Sequence, residues 1–554
     1  MSDVSSFLGQ IPGLPPAETH DICVEYDVKI PMPDGTVLLA DRYYPREDGK
    51  RPLLLVRSPY GRREFFGFIY GRLFAERGFQ VLIQSCRGTF GSGGKFDPFR
   101  QEKADGLATL EWLKKQSWFP GIFGTVGGSY LGYVQWAIAK DAGPELKALA
   151  ISFSCADLGL HHYKGGSFTL EDALSWVFIN FTENKRFFEL PPDKRLFAPP
   201  PGPPPEVERA FNHLPLRDLD KLACGKEIEF WQNLITHSPG DEYWKPADHS
   251  EEVRDVKAPV LLVGGWYDIF LPWQLRDYRS LREAGHNPRL VIGPWTHGEG
   301  GFAPTVMSET IAWLRFHLLG DQNCKPPKSP VKLFVMGANE WRDYPEWPPP
   351  GYKPMSWYLQ PRGGLAPELP AESKPDSYRY DPANPTPAVG GPRLSPDSGP
   401  KDNRSLEARP DVLVYTSAPL ERDFEIIGDV RAELYAKSNL KCTDFFVRVC
   451  DVYPSGESIN ICDGIISVKP GKPPLEQDGF IHVTFDLWPT AYMFRRGHSV
   501  RVHVSSGAHP RYVRNTGSCE PLATATRLLA AENEIYHDPR HPSAVILPAA
   551  EKSR

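Results

Sequence analysis

The chain has 554 residues, of which 41% are hydrophobic and 24% charged, and its formal net charge is −6. The length predicts about three or four domains, and the composition is that of an ordinary globular protein. A net acidic chain without clustered positive charge gives no reason to expect binding to nucleic acid or to a membrane surface.

The termini and the cysteines bear on the cellular compartment. Met1 to Pro15 carry no basic stretch followed by an apolar core, which argues against a secretory signal. No uninterrupted apolar run reaches the length that a membrane helix requires. The nine cysteines are scattered without a Cys-x-x-Cys pair, which argues against a zinc or redox site. We therefore expect a cytoplasmic protein with reduced thiols.

Strands and helices alternate from residue 21 to residue 157. Short apolar strands, such as residues 53–56 and 122–127, are separated by helical segments. The strand pattern stops at about residue 158 and resumes at residues 259–265 and 289–294. Buried strands that alternate with helices predict a parallel sheet covered on both faces, here built from residues 21–157 and 251–325.

Two further regions differ from this α/β pattern. Residues 158–250 contain helical patches, and an insertion between parallel strands predicts a helical cap over the carboxyl edge of the sheet. From residue 326 to residue 554 many short strands, beginning with residues 331–335, are separated by turn residues. That pattern predicts an antiparallel β-sandwich.

Ser129 lies between a predicted strand and a predicted helix, in the stretch Gly-Thr-Val-Gly-Gly-Ser-Tyr-Leu-Gly of residues 124–132. Small residues in a sharp strand-to-helix turn are typical of a nucleophile elbow, which exposes a serine hydroxyl to a pocket. The usual Gly-x-Ser-x-Gly spacing is not met, because Leu131 occupies the place of the last glycine and Gly132 follows it.

A serine nucleophile needs a histidine base and a carboxylate that orients it. Asp268 and His297 each directly follow a predicted strand downstream of Ser129. Functional side chains of an open parallel sheet collect at the carboxyl ends of its strands. The order Ser, Asp, His is that of the α/β-hydrolase fold. We therefore predict Ser129, Asp268 and His297 as a catalytic triad that needs no metal or cofactor.

Acyl transfer also needs hydrogen-bond donors for the oxyanion. The backbone N–H of Tyr130, directly after the nucleophile, is one candidate. The second comes from the loop after an early strand, where Tyr60 in Ser-Pro-Tyr-Gly offers a hydroxyl. A tyrosine at this place could equally be a packing aromatic, and the residues alone leave both interpretations open.

Further motifs stand at residues 57–60, 84–88 with 91–94, 127–132, 265–268, 293–297 and 385–387 with 390–391. Together these segments resemble the CocE/NonD family of serine hydrolases, whose members include esterases, α-amino-acid ester hydrolases and X-Pro dipeptidyl-peptidases. The resemblance covers the chain from about residue 25 to its last residues. It implies an α/β-hydrolase domain, a helical cap and a C-terminal jelly-roll sandwich. It also implies the triad named above and supports Tyr60 as an oxyanion donor.

The resemblance also bears on the substrate. Amino-ester members hold the substrate ammonium with carboxylates, some of them just after the catalytic Asp. Here residues 269–273 are Ile-Phe-Leu-Pro-Trp, against which a buried ammonium would be costly. We therefore expect a small-molecule ester with an uncharged, apolar or aromatic acyl group. The candidate lining residues are Trp136, Trp266, Phe270, Trp273 and Trp295. For each of the tryptophans, packing in the core is an equally open interpretation.

Three alternatives remain open at this stage. A peptidase or amidase would use the same triad, and an acyltransferase or thioesterase would use another acyl acceptor or donor. A non-catalytic binding protein is the third, and the intact set of triad residues argues against it. The sequence does not decide between a monomer and a homodimer.

Overall fold

The computed structural model describes residues 13–47, 49–183, 205–300, 303–473 and 479–551. Residues 1–12, which carry most of the expectation about a secretory signal, lie outside these ranges, as do residues 184–204 of the predicted cap. Among the described residues, no helix combines the length and apolarity needed to cross a bilayer.

A ten-stranded sheet organises the N-terminal part of the chain, in the strand order β1-β2-β4-β3-β5-β6-β9-β10-β11-β12. The strands from β4 to β11 along this order run parallel, and the pairings at both ends are antiparallel. The strands, with the cap hairpin β7–β8, are β1 Ile22–Pro31, β2 Val37–Pro45, β3 Leu53–Ser58, β4 Gln80–Ser85, β5 Phe123–Gly128, β6 Leu146–Ser152, β7 Tyr163–Lys164, β8 Ser167–Phe168, β9 Val260–Tyr267, β10 Arg289–Thr296, β11 Val331–Val335 and β12 Glu340–Tyr344.

Helices cover this sheet, which explains why β3, β4 and β9 are buried along their whole length. The α-helices of six or more residues in the described ranges are α1 Glu102–Leu113, α2 Tyr130–Ala139, α3 Leu170–Phe178, α4 Pro205–Phe211, α5 Leu219–Cys224, α6 Glu229–Thr236, α7 Leu271–Glu283 and α8 Pro304–Leu314. The predicted α/β fold class is confirmed.

The sheet extends further along the chain than the sequence pattern predicts. Strand β11 pairs in parallel with β10, and β12 returns antiparallel to β11. The assignment of residues 331–335 to the sandwich is therefore wrong. A short alternating strand cannot reveal from its own sequence which of two sheets it joins, because both offer an edge to pair with.

The cap segment between β6 and β9 contains β7, β8 and helices α3 to α6, and it contacts the C-terminal domain. Glu171 of α3 forms a buried ion pair with Arg393 at 2.7 Å, and its backbone N–H donates to Pro510 O. Ser467 N–H donates to Gly165 O over 2.7 Å. The cap is thus held by the domain that follows the sheet.

The C-terminal region is an all-β domain, as predicted, whereas its finer description as a jelly roll stays a prediction. Thirteen of its strands form one connected sheet system. The strands are β13 Tyr352–Gln360, β14 Gly364–Ala366, β15 Asp376–Tyr380, β16 Leu413–Ser417, β17 Phe424–Gly428, β18 Arg431–Ser438, β19 Thr443–Val452, β20 Ser458–Val468, β21 Ile481–Asp486, β22 Thr490–Phe494, β23 Ser499–Ser505, β24 Ala531–Ile535, β25 His537–Asp538, β26 His541–Pro542 and β27 Ala544–Ala550.

This domain contains a disulfide between Cys442 and Cys519. The expectation of nine reduced thiols is therefore wrong for these two residues, and the other seven cysteines are free. Cys442 and Cys519 are 77 residues apart in sequence, so no local pattern indicates that they pair. The fold brings the two side chains together.

Candidate active site

Ser129 lies in the turn between β5 and α2, with a backbone φ of 57° and ψ of −126°. Its neighbours must be small: a Cβ on Gly132 would lie 2.5 Å from the Cβ of Ser154, and one on Gly127 would lie 2.4 Å from that of Leu131. The departure from the usual spacing thus has a structural reason, because Gly132 is the position at which α2 approaches the neighbouring strand end. The turn supports Ser129 in a strained, half-buried position at the wall of a cavity.

The side chains of Ser129, His297 and Asp268 form a continuous chain of short contacts. His297 Nε2 lies 3.1 Å from Ser129 Oγ, and His297 Nδ1 lies 2.6 Å from Asp268 Oδ1. Asp268 directly follows β9 and is fully buried, and His297 directly follows β10. The adjacent parallel strands β9 and β10 therefore deliver the acid and the base to the same edge of the sheet.

Tyr130 and Tyr60, the two predicted oxyanion donors, both lie beside Ser129. Tyr130 begins α2, and its hydroxyl donates away from the serine to Glu102 Oε1 at 2.8 Å, so only its backbone N–H can serve the site. Tyr60 lines the same cavity as Ser129, and its hydroxyl accepts a hydrogen bond from the Trp176 indole N–H at 3.0 Å. Burial raises the pKa of Tyr60 to about 12, so its hydroxyl keeps its proton at neutral pH.

A cavity of about 290 Å³ opens at Ser129 and His297. Its walls come mainly from aromatic and aliphatic side chains of the sheet edge and the cap. They include Phe99, Phe153, Leu158, Trp176, Ile179 and Phe270. Phe270 is the one predicted lining residue that the structure places at this cavity; its ring lies 5.2 Å from that of His297.

The four predicted tryptophans lie elsewhere. Trp136 is buried in the core beneath the sheet, and Trp266 donates its indole N–H to Phe334 O. Trp273 packs against Trp488 of the all-β domain, and Trp295 packs against Trp341 of β12. None of the four is among the described lining residues of the cavity. Proximity in sequence to a site residue did not predict side-chain direction, because neighbouring residues of a strand or helix face different sides.

Three polar residues of the cap line the cavity although the sequence analysis did not predict them as site residues. Asp172 of α3 lines the cavity, and burial together with the nearby Glu171 raises its pKa to about 7. His161 and His162 also line it, and burial lowers the pKa of His161 to about 3. A usable signal was the i, i+4 spacing of Asp172 and Trp176, which places both on one helix face.

No cluster of metal-ligand type occurs in the described ranges.

Comparison with known proteins agrees with this architecture. Residues 34–299 match the X-Pro dipeptidyl-peptidase (S15) family, and residues 325–546 match the X-Pro dipeptidyl-peptidase C-terminal non-catalytic domain. Cocaine esterase from Rhodococcus sp. (strain MB1 Bresler) is 33% identical over 95% of this chain and 98% of its own length.

Two solved structures share the fold. An aminopeptidase from a marine sediment archaeon, Thaumarchaeota archaeon, superposes with a TM-score of 0.81 at 22% identity, covering 97% of this chain and 98% of the other. An α-amino acid ester hydrolase gives a TM-score of 0.80 at 22% identity, covering 98% and 99%. The fold and the family matches define a hydrolase with an appended all-β domain. Within this class, the chain belongs to the CocE/NonD family of serine hydrolases.

Proposed function

We propose that this protein hydrolyses carboxylic esters through an acyl-enzyme formed on Ser129. The observation that carries the proposal is the unbroken contact chain from Ser129 Oγ through His297 to Asp268, at 3.1 and 2.6 Å. The 33% identity to a cocaine esterase over nearly the whole chain supports ester chemistry.

In the proposed reaction His297 Nε2 takes the proton of Ser129 Oγ as that oxygen attacks the ester carbonyl carbon. Asp268 accepts from His297 Nδ1–H, which keeps Nε2 available as the base. The tetrahedral oxyanion is bound by Tyr130 N–H and the Tyr60 hydroxyl. Its collapse breaks the bond to the alcohol, which leaves with the proton from His297. Water then repeats the sequence, releasing the carboxylic acid and restoring Ser129.

The cavity walls support an uncharged, apolar or aromatic acyl group. Phe99, Phe153, Trp176 and Phe270 offer rings to such a group, and burial of an aromatic acyl group against them is favourable. Esters of p-nitrophenol with an aromatic acyl group should therefore have a higher kcat/KM than p-nitrophenyl acetate.

The test is Ser129→Ala, assayed with p-nitrophenyl esters and with a fluorophosphonate probe. We expect turnover and labelling to be abolished with the fold intact. The matched control is Ser154→Ala, because the Ser154 hydroxyl is buried nearby and has no hydrogen-bond partner among the described residues. Unchanged esterase activity in Ser129→Ala would refute the mechanism.

One observation favours a second candidate function, the hydrolysis of an amide bond close to the free amino terminus of a peptide. Such an enzyme needs a carboxylate that binds the substrate amine, and Asp172 places one in the cavity wall. The family match to X-Pro dipeptidyl-peptidases agrees with this candidate. If it is right, the wild-type protein cleaves Xaa-Pro anilides, and Asp172→Asn raises their KM while leaving uncharged esters unaffected. Failure to cleave any Xaa-Pro anilide would count against it.

A further inference from the structure

The cap places the indole N–H of Trp176 at the proposed oxyanion site. Trp176 lies on α3 and donates to the Tyr60 hydroxyl oxygen over 3.0 Å. An indole N–H can only donate, so the Tyr60 oxygen must accept in this bond. The single proton of the Tyr60 hydroxyl must therefore point away from the cap.

The available direction is toward the nucleophile. Tyr60 and Ser129 line the same cavity, and the Tyr60 ring lies 6.3 Å from that of Tyr130, the residue next to Ser129. A neutral phenol that accepts from Trp176 keeps its own proton for an oxygen on the Ser129 side. During ester hydrolysis, that oxygen is the substrate's developing oxyanion.

Packing fixes the direction of the indole N–H. The Trp176 ring lies parallel to Tyr130, with an interplanar angle of 4° and centroids 6.1 Å apart. It also stacks on Phe99 at 5.4 Å and meets the edge of Phe230 at 5.6 Å. These contacts leave the indole little rotational freedom, so its hydrogen bond holds Tyr60 in one orientation.

We propose that Trp176 is a positioning residue that orients the Tyr60 hydroxyl as an oxyanion donor. Donation from Trp176 also polarises this hydroxyl and makes it a stronger donor, since hydrogen bonds in series reinforce one another. The inference rests on the proposed ester hydrolysis. It gives the cap a part in transition-state stabilisation in addition to its part in the cavity wall.

The experiment is a double-mutant cycle of Trp176→Phe with Tyr60→Phe, measured as kcat and KM for p-nitrophenyl esters of different acyl size. Trp176→Phe keeps an aromatic ring and removes the N–H. We expect kcat to decrease about 5- to 10-fold, the effect of one lost hydrogen bond, with KM changed less than about twofold. In the Tyr60→Phe background, the same change should lower kcat less than about twofold.

Two further variants control for packing. Trp231→Phe removes another buried indole N–H of the cap, which donates to Leu216 O over 3.0 Å. Trp231 is not among the described lining residues of the cavity, so this variant should leave kcat unchanged. Trp176→His retains a ring N–H and should lose less kcat than Trp176→Phe. Thermal melting of each variant shows whether it is folded.

The outcomes separate this inference from the proposed function. An equal loss of kcat in both Tyr60 backgrounds, or an effect on KM alone, would overturn the positioning role. If Tyr60→Phe is silent while Ser129→Ala abolishes turnover, the positioning role is overturned and ester hydrolysis stands. If Ser129→Ala remains active, both are overturned.

Discussion

Trp488 of the all-β domain donates its indole N–H to the backbone oxygen of Asp268 over 3.0 Å. Next to it, the Tyr267 hydroxyl donates to Asn460 O over 2.9 Å. The loop that carries the proposed triad acid is therefore fixed by residues about 200 positions later in the chain. The all-β domain thus contributes to the geometry of the α/β-domain site.

Trp488→Phe should lower both stability and kcat. Among the described residues, the Asp268 oxygen would then keep the longer contact from Leu271 N–H at 3.4 Å. Loss of one buried hydrogen bond costs about 1 kcal/mol. The control is Trp357→Phe, because the buried Trp357 N–H has no partner among the described residues. A loss of kcat in Trp488→Phe no larger than in Trp357→Phe would show that this contact does not matter for the site.

Tyr60→Phe tests the proposed oxyanion donor. Removing one such donor lowers kcat by roughly 10²–10³-fold, and we expect this effect with little change in KM. Steady-state kinetics with p-nitrophenyl esters measures both constants. A decrease in kcat below about threefold would return Tyr60 to the role of a packing aromatic.

Asp172 should make the stability of the protein depend on pH. Its pKa is raised to about 7 from 3.8, so between about pH 4 and pH 7 the folded state retains a proton that the unfolded chain releases. The stability contribution of this group therefore decreases as pH rises through that window. Above pH 7 the carboxylate is charged although it is buried, and this charge destabilises the folded state.

Asp172→Asn removes this charge and can still accept the Leu394 N–H bond that Asp172 Oδ1 accepts at 2.8 Å. We expect the variant to have a higher Tm than wild type at pH 8 and a much smaller difference at pH 5. Glu47→Gln, at an exposed carboxylate, should show no such pH dependence. Parallel Tm curves of Asp172→Asn and wild type from pH 5 to pH 8 would contradict the raised pKa.

The disulfide should be a main source of stability for the all-β domain. A bridge that closes a loop of 77 residues restricts the unfolded chain by roughly 4 kcal/mol in the chain-entropy treatment. Cys442→Ser and treatment with a reducing agent should therefore both lower Tm, and the two decreases should be similar to each other. Cys23→Ser, at a free cysteine in β1, is the control. A Tm that does not respond to reductant would show that the bridge is absent in solution.

The sequence predicted the parts of the site that follow from strand ends. Ser129, Asp268 and His297 each follow a buried apolar strand, and the parallel order of such strands brings their ends to one edge. Local patterns therefore sufficed for the α/β sheet and for the approach of the three side chains. The crowded turn at Ser129 is also a local feature, and its small residues predicted it.

The tertiary structure decided what lies around these three residues. Trp176 and Asp172 enter the cavity because α3 docks over the sheet edge, and Trp488 reaches Asp268 because the all-β domain folds back on it. Trp266 and Trp295, adjacent in sequence to the site, face other parts of the core. Local apolar patterns indicate where each strand ends. The pocket walls, the disulfide and the hydrogen bond from Trp176 to Tyr60 depend instead on contacts between segments distant in sequence. No local pattern encodes those contacts, because tertiary packing decides them.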